Sequence, residues 1–318
     1  MKALFQVFAL MLLLQTGVAQ EVDDGNALLN RPAERSYDII LESGYLKVGV
    51  YQNFPPYSYT VNGAPQGIDV ELGKRIAKAM GVDFKVHWIV PDENLGDDLR
   101  NNVWKGHYLE KQRLADVMMR VPYDKQYAYM QDSTGEYMNE QVVLFGPYQQ
   151  ETWQIAYNPK KMDSVETVAM FQYHPIGVEI DTLPDFYLSS GLNGRLREQV
   201  RHYANVEDAF SAMRDGEVSA VMGMRAEIDY QLSKVENSEF KHASNGFPGI
   251  NKQVWDVGMA IKHTHRQLGY ALEEIVGKLV QSGELSELFS QFNLSYSVPQ
   301  YYREFLGDEA IARAEGQP

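Results

Sequence analysis

The sequence contains no cysteine. That absence excludes a disulfide-stapled scaffold, a thiol nucleophile, zinc fingers and iron–sulfur clusters. A chain of 318 residues is long enough to bury its cores without covalent staples, and it suits about two domains. The hydrophobic fraction of 44% and the charged fraction of 23% are those of an ordinary globular protein.

Positive charge is also scarce. The chain has 29 Lys and Arg against 43 Asp and Glu, which gives a formal net charge of -14 at pH 7. Nucleic acids and anionic membrane surfaces attract basic proteins, so neither is a predicted partner. Basic partners, or none, fit this charge better.

Several catalytic signatures are missing as well. The sequence has no G-x-S-x-G motif, no P-loop and no Rossmann fingerprint. His263 and His265 stand two residues apart, which is too few ligands for a metal site. We therefore predict no enzyme, no cofactor and no metal site.

The N-terminal residues predict export. Met1 and Lys2 give a positive start, and residues 3–14 form an apolar run of signal-peptide length. Gly17 and Ala19 occupy the -3 and -1 positions of a cleavage site. We expect residues 1–19 to be a signal peptide that is cut after Ala19; the alternative is an uncleaved anchor. We expect no later segment to insert into a membrane. The mature protein is expected in the periplasm.

The remaining chain alternates between the periods of strands and helices. Apolar–polar alternation predicts strands, and apolar positions three and four apart predict helices. In the first part this pattern gives strand, helix, strand, helix and strand over 44–51, 68–81, 82–90, 95–106 and 115–119. In the later part it gives strands at 175–180, 218–224 and 256–262 and helices from 182, over 206–216 and over 265–293, with a break at Gly283.

This order predicts an α/β protein made of two units with right-handed crossovers. The boundary falls near residues 145–153, and the last strand and helices complete one of the two units. We predict lobe 1 over 37–147 plus 254–300, lobe 2 over 148–253, and a C-terminal tail over 301–318.

Four stretches resemble the type 3 extracellular solute-binding proteins. They are "LKVGVYQNFPPYSY", "GIDVELGKRIAKAMGV", "IGVEIDT" and "DVGMAIKHTHRQLGYALEEIVGKLVQSGELSELFSQF". The likeness covers about residues 37–298. It implies the two-lobed periplasmic-binding-protein fold (type II), in which a small ligand enters a cleft between the lobes and the lobes close by a hinge.

Other stretches resemble a subgroup of that family, the J proteins of methanol dehydrogenase systems and their relatives in lanthanide-dependent systems. They are "RNNVWKGHY", "ADVMMRVPYD" and "VVLFGPYQQE", with "GVEIDTLPDFYL" and "GRLREQV" in support. Members of this subgroup accompany periplasmic quinoprotein dehydrogenases, which oxidise methanol or other alcohols with PQQ.

In amino-acid-binding members of the family, aromatic side chains of the first loop stack on the ligand. The resemblance places Phe54, Tyr57 and Tyr59 in that loop. The alternative is that these rings cover the edge of the core.

In those members an arginine after the third strand pairs with the ligand carboxylate. Here Lys125 stands at that position, and lysine lacks the two-pronged donor geometry of arginine. Arg120 is near at a different offset, and Tyr123 lies in the same loop. The alternative for Lys125 is a solvated surface lysine.

The second lobe keeps the family features only in part. Thr182 matches the family's hydroxyl position, and Asp181 replaces a glycine there; the alternative for both is plain helix capping. Met224, or Gly223, stands where an aspartate would meet the ligand ammonium, and Arg225 follows. Glu227 and Asp229 are close by and are expected to be solvated, so a zwitterionic amino acid is poorly provided for.

Two functions follow as hypotheses. The first is a non-catalytic periplasmic protein accessory to a PQQ-dependent dehydrogenase, which binds the enzyme or a small molecule in its cleft. The second is the substrate-binding subunit of an ABC importer for a small polar solute. A lyase on the same fold is the weakest alternative, because no catalytic motif supports it.

Overall fold

The structure is a computed structural model that describes residues 34–235 and 239–316. The predicted signal peptide, residues 1–19, lies outside the described residues. The described strands are β1 (Tyr45–Tyr51), β2 (Tyr59–Val61), β3 (Ala64–Gln66), β4 (Asp83–Ile89), β5 (Val117–Pro122), β6 (Val142–Tyr157), β7 (Ile176–Glu179), β8 (Val200–Tyr203), β9 (Ala220–Met224), β10 (Lys241–His242) and β11 (Val254–Lys262).

The α-helices pack around these strands. They are α1 (Tyr37–Ser43), α2 (Ile68–Met80), α3 (Leu95–Leu99), α4 (Lys125–Ala128), α5 (Leu183–Gly194), α6 (Val206–Arg214), α7 (Arg225–Ser233), α8 (Arg266–Gln281), α9 (Glu284–Ser290), α10 (Gln300–Arg303) and α11 (Asp308–Ala314). Among the described helices, none is long and apolar enough to cross a membrane.

Most strands join one sheet in the order β4-β1-β5-β11-β6-β9-β7-β8. Lobe 1 contains the parallel strands β4, β1 and β5 with β11 antiparallel beside them. Lobe 2 contains β9, β7 and β8, which run parallel to each other. The protein therefore has the two-lobed α/β fold that the sequence predicts.

Strand β6 crosses from one lobe to the other. It has 16 residues. Residues 142–152 pair with β11, and residues 153–157 pair with β9. The exact lobe boundaries stay a prediction, because this one strand belongs to both halves of the sheet.

Each lobe has its own apolar cores. In lobe 1, Val48 of β1, Ile76 of α2 and Leu272 of α8 belong to one buried cluster. In lobe 2, Ile176 of β7 and Phe210 of α6 belong to two further clusters. Ala226 of lobe 2 also belongs to the lobe 1 cluster, so the two lobes pack against each other beside the crossing strand.

Local sequence explains several element ends. Helix α2 buries Ile68, Leu72 and Ile76, which recur every fourth residue, and it ends at Gly81 in the left-handed conformation. Gly283, with φ 84°, separates α8 from α9, so the predicted break there is confirmed.

The third strand differs from its prediction. The sequence predicts a strand over residues 115–119 followed by a loop, and the structure gives β5 as Val117–Pro122. Pairing of β11 residues Val257 and Gly258 with Pro122 and Val121 extends the strand. Arg120 consequently lies inside a sheet strand rather than in a ligand loop.

The segment predicted as a C-terminal tail contains helices α10 and α11. Tyr302 and Ala314 from these helices are buried in the core of lobe 1. The residues after the last predicted helix therefore complete lobe 1.

Candidate ligand cleft

A cavity of about 800 Å³ lies between the lobes. Lobe 1 supplies the end of β1, the loop after it and the start of β2, and lobe 2 supplies the end of β7 and parts of α6 and α7. Ligands of open α/β sheets bind at the carboxyl ends of strands, and β1 and β7 both end here. This cavity is the candidate binding site.

Aromatic rings from both lobes line the cavity. Phe54 and Tyr59, two of the predicted residues, are in its wall together with Tyr51 and Tyr230. The Tyr59 and Tyr230 ring centroids are 6.4 Å apart, and those of Tyr51 and Phe54 are 6.2 Å apart. Tyr59 comes from lobe 1 and Tyr230 from lobe 2, so these rings meet across the cleft.

Tyr57 lies elsewhere. Its side chain is fully buried, and its hydroxyl donates to Glu151 Oε2 at 2.9 Å. The ring packs against Phe54 with the centroids 5.0 Å apart. The structure therefore places Tyr57 behind the cavity wall, where it supports the loop.

Arg120 is also buried, with its side chain 7% exposed. Its Nε donates to Asp69 Oδ2 at 2.9 Å, and its Nη2 donates to Gln149 Oε1 at 2.7 Å. The guanidinium carbon lies 3.2 Å from the centroid of the Tyr57 ring. Two of the three guanidinium nitrogens of Arg120 therefore already donate within the protein.

Further hydrogen bonds join these residues to side chains of the crossing strand β6. Gln149 Nε2 donates to Glu151 Oε2 at 2.7 Å, and the Tyr148 hydroxyl donates to Asp69 Oδ1 at 2.8 Å. Burial raises the pKa of the Glu151 carboxyl, and the charge of Arg225 opposes that rise. We call this set the crossing network; its members are Tyr57, Asp69, Arg120, Tyr148, Gln149 and Glu151.

Tyr123 and Lys125 follow Arg120 but do not reach the cavity. The Tyr123 ring meets the edge of Tyr301, with the centroids 5.4 Å apart. Lys125 is exposed at the first position of α4. This placement of Lys125 matches the alternative of a solvated surface lysine.

Asp181 and Thr182 form the start of α5. Thr182 is the N-cap residue, and the exposed Asp181 has a positive φ of 60°. The carboxylate of Asp185, in the first turn, accepts from the Asp181 amide at 3.1 Å and from the Ser189 hydroxyl at 2.9 Å. The protein's own carboxylate therefore occupies the place where a helix N-terminus would hold an anion.

Met224 and Arg225 lie at the junction of β9 and α7. The Met224 amide donates to Glu227 Oε2 at 3.2 Å, which caps the helix. Arg225 Nη1 donates to Ser297 Oγ at 2.9 Å, so its side chain ties lobe 2 to the segment before α10. Neither side chain lines the cavity.

The charged residues of the wall are mostly acidic. They are Asp98, Glu179, Glu207, Glu227 and Lys234. The four carboxyl groups are not among the predicted site residues. Glu179 does end a strand, which is a signal for ligand positions in this fold class.

The expectation that Glu227 and Asp229 are solvated is wrong. Glu227 is 6% exposed, because α7 turns it into the interior beside the cavity. Asp229 is held by His242 Nε2 at 2.8 Å and by the Ser295 hydroxyl at 2.8 Å. The capping position three residues after Met224 was the available signal for Glu227.

Burial shifts the pKa values of three of these carboxyl groups. It raises the pKa of Asp98, whose carboxylate accepts from the Tyr51 hydroxyl at 2.8 Å, and it raises the pKa of Glu179. Burial, helped by the negative charge of Glu179, raises the pKa of Glu227 to about 8. Glu227 is therefore largely protonated at neutral pH.

A pH-dependent stability follows from Glu227. Its folded pKa of about 8 lies above the ordinary glutamate value of 4.5, so stability falls as pH rises through that window. At about pH 5 we expect Glu227→Gln to have the same free energy of unfolding as the wild type. At about pH 9 we expect the variant to be more stable by roughly 3–5 kcal/mol. Urea unfolding at both pH values checks this.

Glu274→Gln is the control for that experiment. Glu274 is exposed on α8 and pairs with Lys278, so its replacement should give no comparable pH-dependent gain. A Glu227→Gln protein that is less stable than the wild type near about pH 9 would contradict the expected burial cost of the charge.

In the part of the chain that the structure describes, no three His, Cys, Asp or Glu residues are grouped so that they could hold a metal ion. This finding includes the four carboxyl groups of the cavity wall.

Comparison with known proteins gives a family match over most of the chain. The model of the bacterial extracellular solute-binding proteins, family 3, matches residues 46–295.

Two curated relatives match shorter segments, and the matches span only about a quarter to a third of their length. A membrane-bound lytic murein transglycosylase F of Actinobacillus succinogenes is 28% identical over 135 residues, which is 41% of this chain and 23% of the relative. A cyclohexadienyl dehydratase of Pseudomonas aeruginosa is 30% identical over 94 residues, which is 28% of this chain and 35% of the relative.

Solved structures share the fold. An ancestral cationic amino acid solute-binding protein superposes with a TM-score of 0.62 at 16% identity, covering 80% of this chain and 98% of that one. An amino acid ABC transporter substrate-binding protein, AbpA, of Streptococcus pneumoniae, bound to L-arginine, gives 0.56 at 19% identity, covering 80% and 97%. At these identities the likeness shows the fold alone.

Proposed function

Because the chain belongs to the bacterial extracellular solute-binding proteins, family 3, we propose that it is a non-catalytic binding protein of the periplasm. We propose further that it is accessory to a periplasmic PQQ-dependent dehydrogenase that oxidises methanol or another alcohol. Export through cleavage after Ala19 is part of the proposal. The interlobe cavity stays available to a small ligand.

One observation carries this proposal. The stretches that resemble the J proteins, at residues 115–124 and 142–151, supply Arg120, Tyr148, Gln149 and Glu151 to the crossing network. In amino-acid receptors the arginine of this region holds the ligand. Here the same residue type is part of the interior that joins the lobes, which supports a receptor fold adapted to another role.

The exposed surface of lobe 1 supports a protein partner. Tyr108 is the last residue of "RNNVWKGHY", another stretch that resembles the J proteins, and it is 76% exposed. Tyr129 and Tyr137 are also exposed, with ring centroids 6.0 Å apart, and they border a groove of about 490 Å³ beside α8. Exposed aromatic clusters are typical of interaction sites.

The test is complex formation between the purified full-length mature chain and the PQQ-dependent alcohol dehydrogenase of the same organism, with and without PQQ. We expect co-elution in size-exclusion chromatography and a measurable heat of binding. Tyr137→Ser should weaken the complex roughly tenfold if the aromatic cluster is at the interface, since aromatic anchors dominate such energies.

Tyr173→Ser is the matched control, because Tyr173 is 80% exposed on lobe 2, away from the groove. It should bind like the wild type. Absence of a complex with either form of the dehydrogenase would refute the accessory role.

The cavity favours a second candidate, the substrate-binding subunit of an ABC importer for a small polar solute. A volume of about 800 Å³ is ample for a small metabolite. A large thermal shift with one metabolite, together with no dehydrogenase complex, would favour this candidate, because a ligand that binds only the folded state stabilises it.

A further inference from the structure

The charge of the cavity points to its ligand class. Four carboxyl groups and one lysine line the wall, and no arginine is among the described lining residues. The lysine is already engaged, since Lys234 Nζ lies 3.2 Å from Glu207 Oε1 and 4.1 Å from the centroid of the Tyr230 ring. Three carboxyl groups remain without a cationic partner in the wall.

Two of those carboxyl groups have at least one oxygen without a donor from the described chain. The Glu179 carboxylate has no hydrogen-bond partner among the described residues, and burial raises its pKa. Glu227 is 6% exposed, and only its Oε2 accepts a bond from the described chain, from the Met224 amide. Both carboxyl groups line the cavity, so their unpaired oxygens can accept from a ligand that carries N–H donors.

Arg120 and the start of α5, which could hold an anion, already have partners within the protein. Arg120 donates to Asp69 and Gln149, and the start of α5 is held by Asp185. A carboxylate placed in the cavity would face unpaired acids without a fork of donors to hold it.

The remaining wall suits a cation. The Tyr230 ring already lies 4.1 Å from Lys234 Nζ. Tyr51, Phe54 and Tyr59 also line the cavity, and aromatic ring faces attract ammonium groups. Resting on the proposed function, we propose that the cleft binds a small organic cation without a carboxylate, an alkyl- or arylammonium, which donates to Glu227 and Glu179 and packs on these rings.

The experiment compares ligands of one skeleton. Isothermal titration of the full mature chain with 2-phenylethylamine, L-phenylalanine and 3-phenylpropanoate varies only the charged groups, and 1,4-diaminobutane, 4-aminobutanoate and butanedioate do the same for a linear skeleton. We expect an amine of at least one series to bind roughly tenfold more tightly than its zwitterion, and we expect no binding of the anions.

The variants locate the site. Glu179→Gln and Glu227→Gln should each weaken amine binding roughly tenfold near about pH 8, whereas Glu274→Gln on α8 should leave it unchanged. Because the Glu179 side chain has no hydrogen-bond partner among the described residues, Glu179→Gln tests the ligand contact without removing a contact within the protein. Tighter binding of a zwitterion or an anion, or no binding of either amine, overturns the proposal.

The two proposals fail separately. Dehydrogenase binding is measured on the same preparation without any amine. A complex without amine binding overturns the ligand class and leaves the accessory role intact. Amine binding without a complex overturns the accessory role and leaves the ligand class intact.

Discussion

Replacing Arg120 with glutamine should destabilise the protein by about 3–5 kcal/mol, because it leaves the buried Asp69 carboxylate without its cation. Gln149 Oε1 also loses its donor, and the Tyr57 ring loses the guanidinium that stacks on it. Urea or thermal unfolding measures the effect. If Arg120 gripped a ligand instead, its loss would abolish binding and leave the stability of the free protein almost unchanged.

Two further variants sharpen this test. Lys125→Gln should change neither stability nor binding, since Lys125 is exposed at the start of α4. The double variant Arg120→Gln with Asp69→Asn should be less destabilised than the sum of the single variants, because the uncompensated buried charge is gone. Additive effects would contradict the direct pairing of the two residues.

Gly67→Ala should be the second severely destabilising change. Gly67 has φ 117° and ψ 167°, a conformation that only glycine adopts easily. A Cβ there would lie 2.3 Å from the Tyr57 carbonyl oxygen and 2.8 Å from the Ser58 nitrogen. We expect a loss of at least about 4 kcal/mol, together with weaker ligand binding, because the loop that carries Phe54 and Tyr59 must move.

Gly63→Ala is the matched control, in the turn of the β2–β3 hairpin that precedes Gly67. Gly63 also has a positive φ, of 80°, but a Cβ there meets nothing within 4 Å. Its cost should be about 1 kcal/mol, the strain of the left-handed backbone alone. Equal losses for the two alanine variants, measured by urea unfolding, would show that the contact with Tyr57 is not decisive.

The predictions for Arg120 and Gly67 concern one connected region of lobe 1. Gly67 lets the start of α2 approach the aromatic loop, so that the Asp69 amide donates to the Tyr57 carbonyl at 2.9 Å. The Asp69 side chain then pairs with Arg120. The first loop, α2 and β5 are therefore linked by hydrogen bonds behind the lobe 1 wall of the cavity.

Features with a short-range cause were predicted correctly. Strand β1, helix α2 and strand β4 follow from apolar periodicity, and the end of α2 at Gly81 follows from a glycine cap. Thr182 was correctly placed as a helix cap because its hydroxyl bonds within the next turn.

Features with a long-range cause were not predicted from the sequence. Arg120 is separated by 51 positions from Asp69, its ion-pair partner, and no local pattern links the two residues. Glu227 reads as a solvated acid in the sequence, yet packing of α7 against the crossing strand buries it. Burial and pairing of charged groups depend on which elements meet, and the chain brings those elements together from distant segments.

By itself the sequence determined the α/β class, the order of the elements and the absence of any cysteine chemistry, because composition and periodicity act over a few residues. The tertiary structure alone decided that Arg120 lies within β5 and joins the crossing network, and that carboxyl groups line the cavity. Side-chain direction and burial are set by strand register and by the meeting of two lobes, and these contacts join residues far apart in the chain.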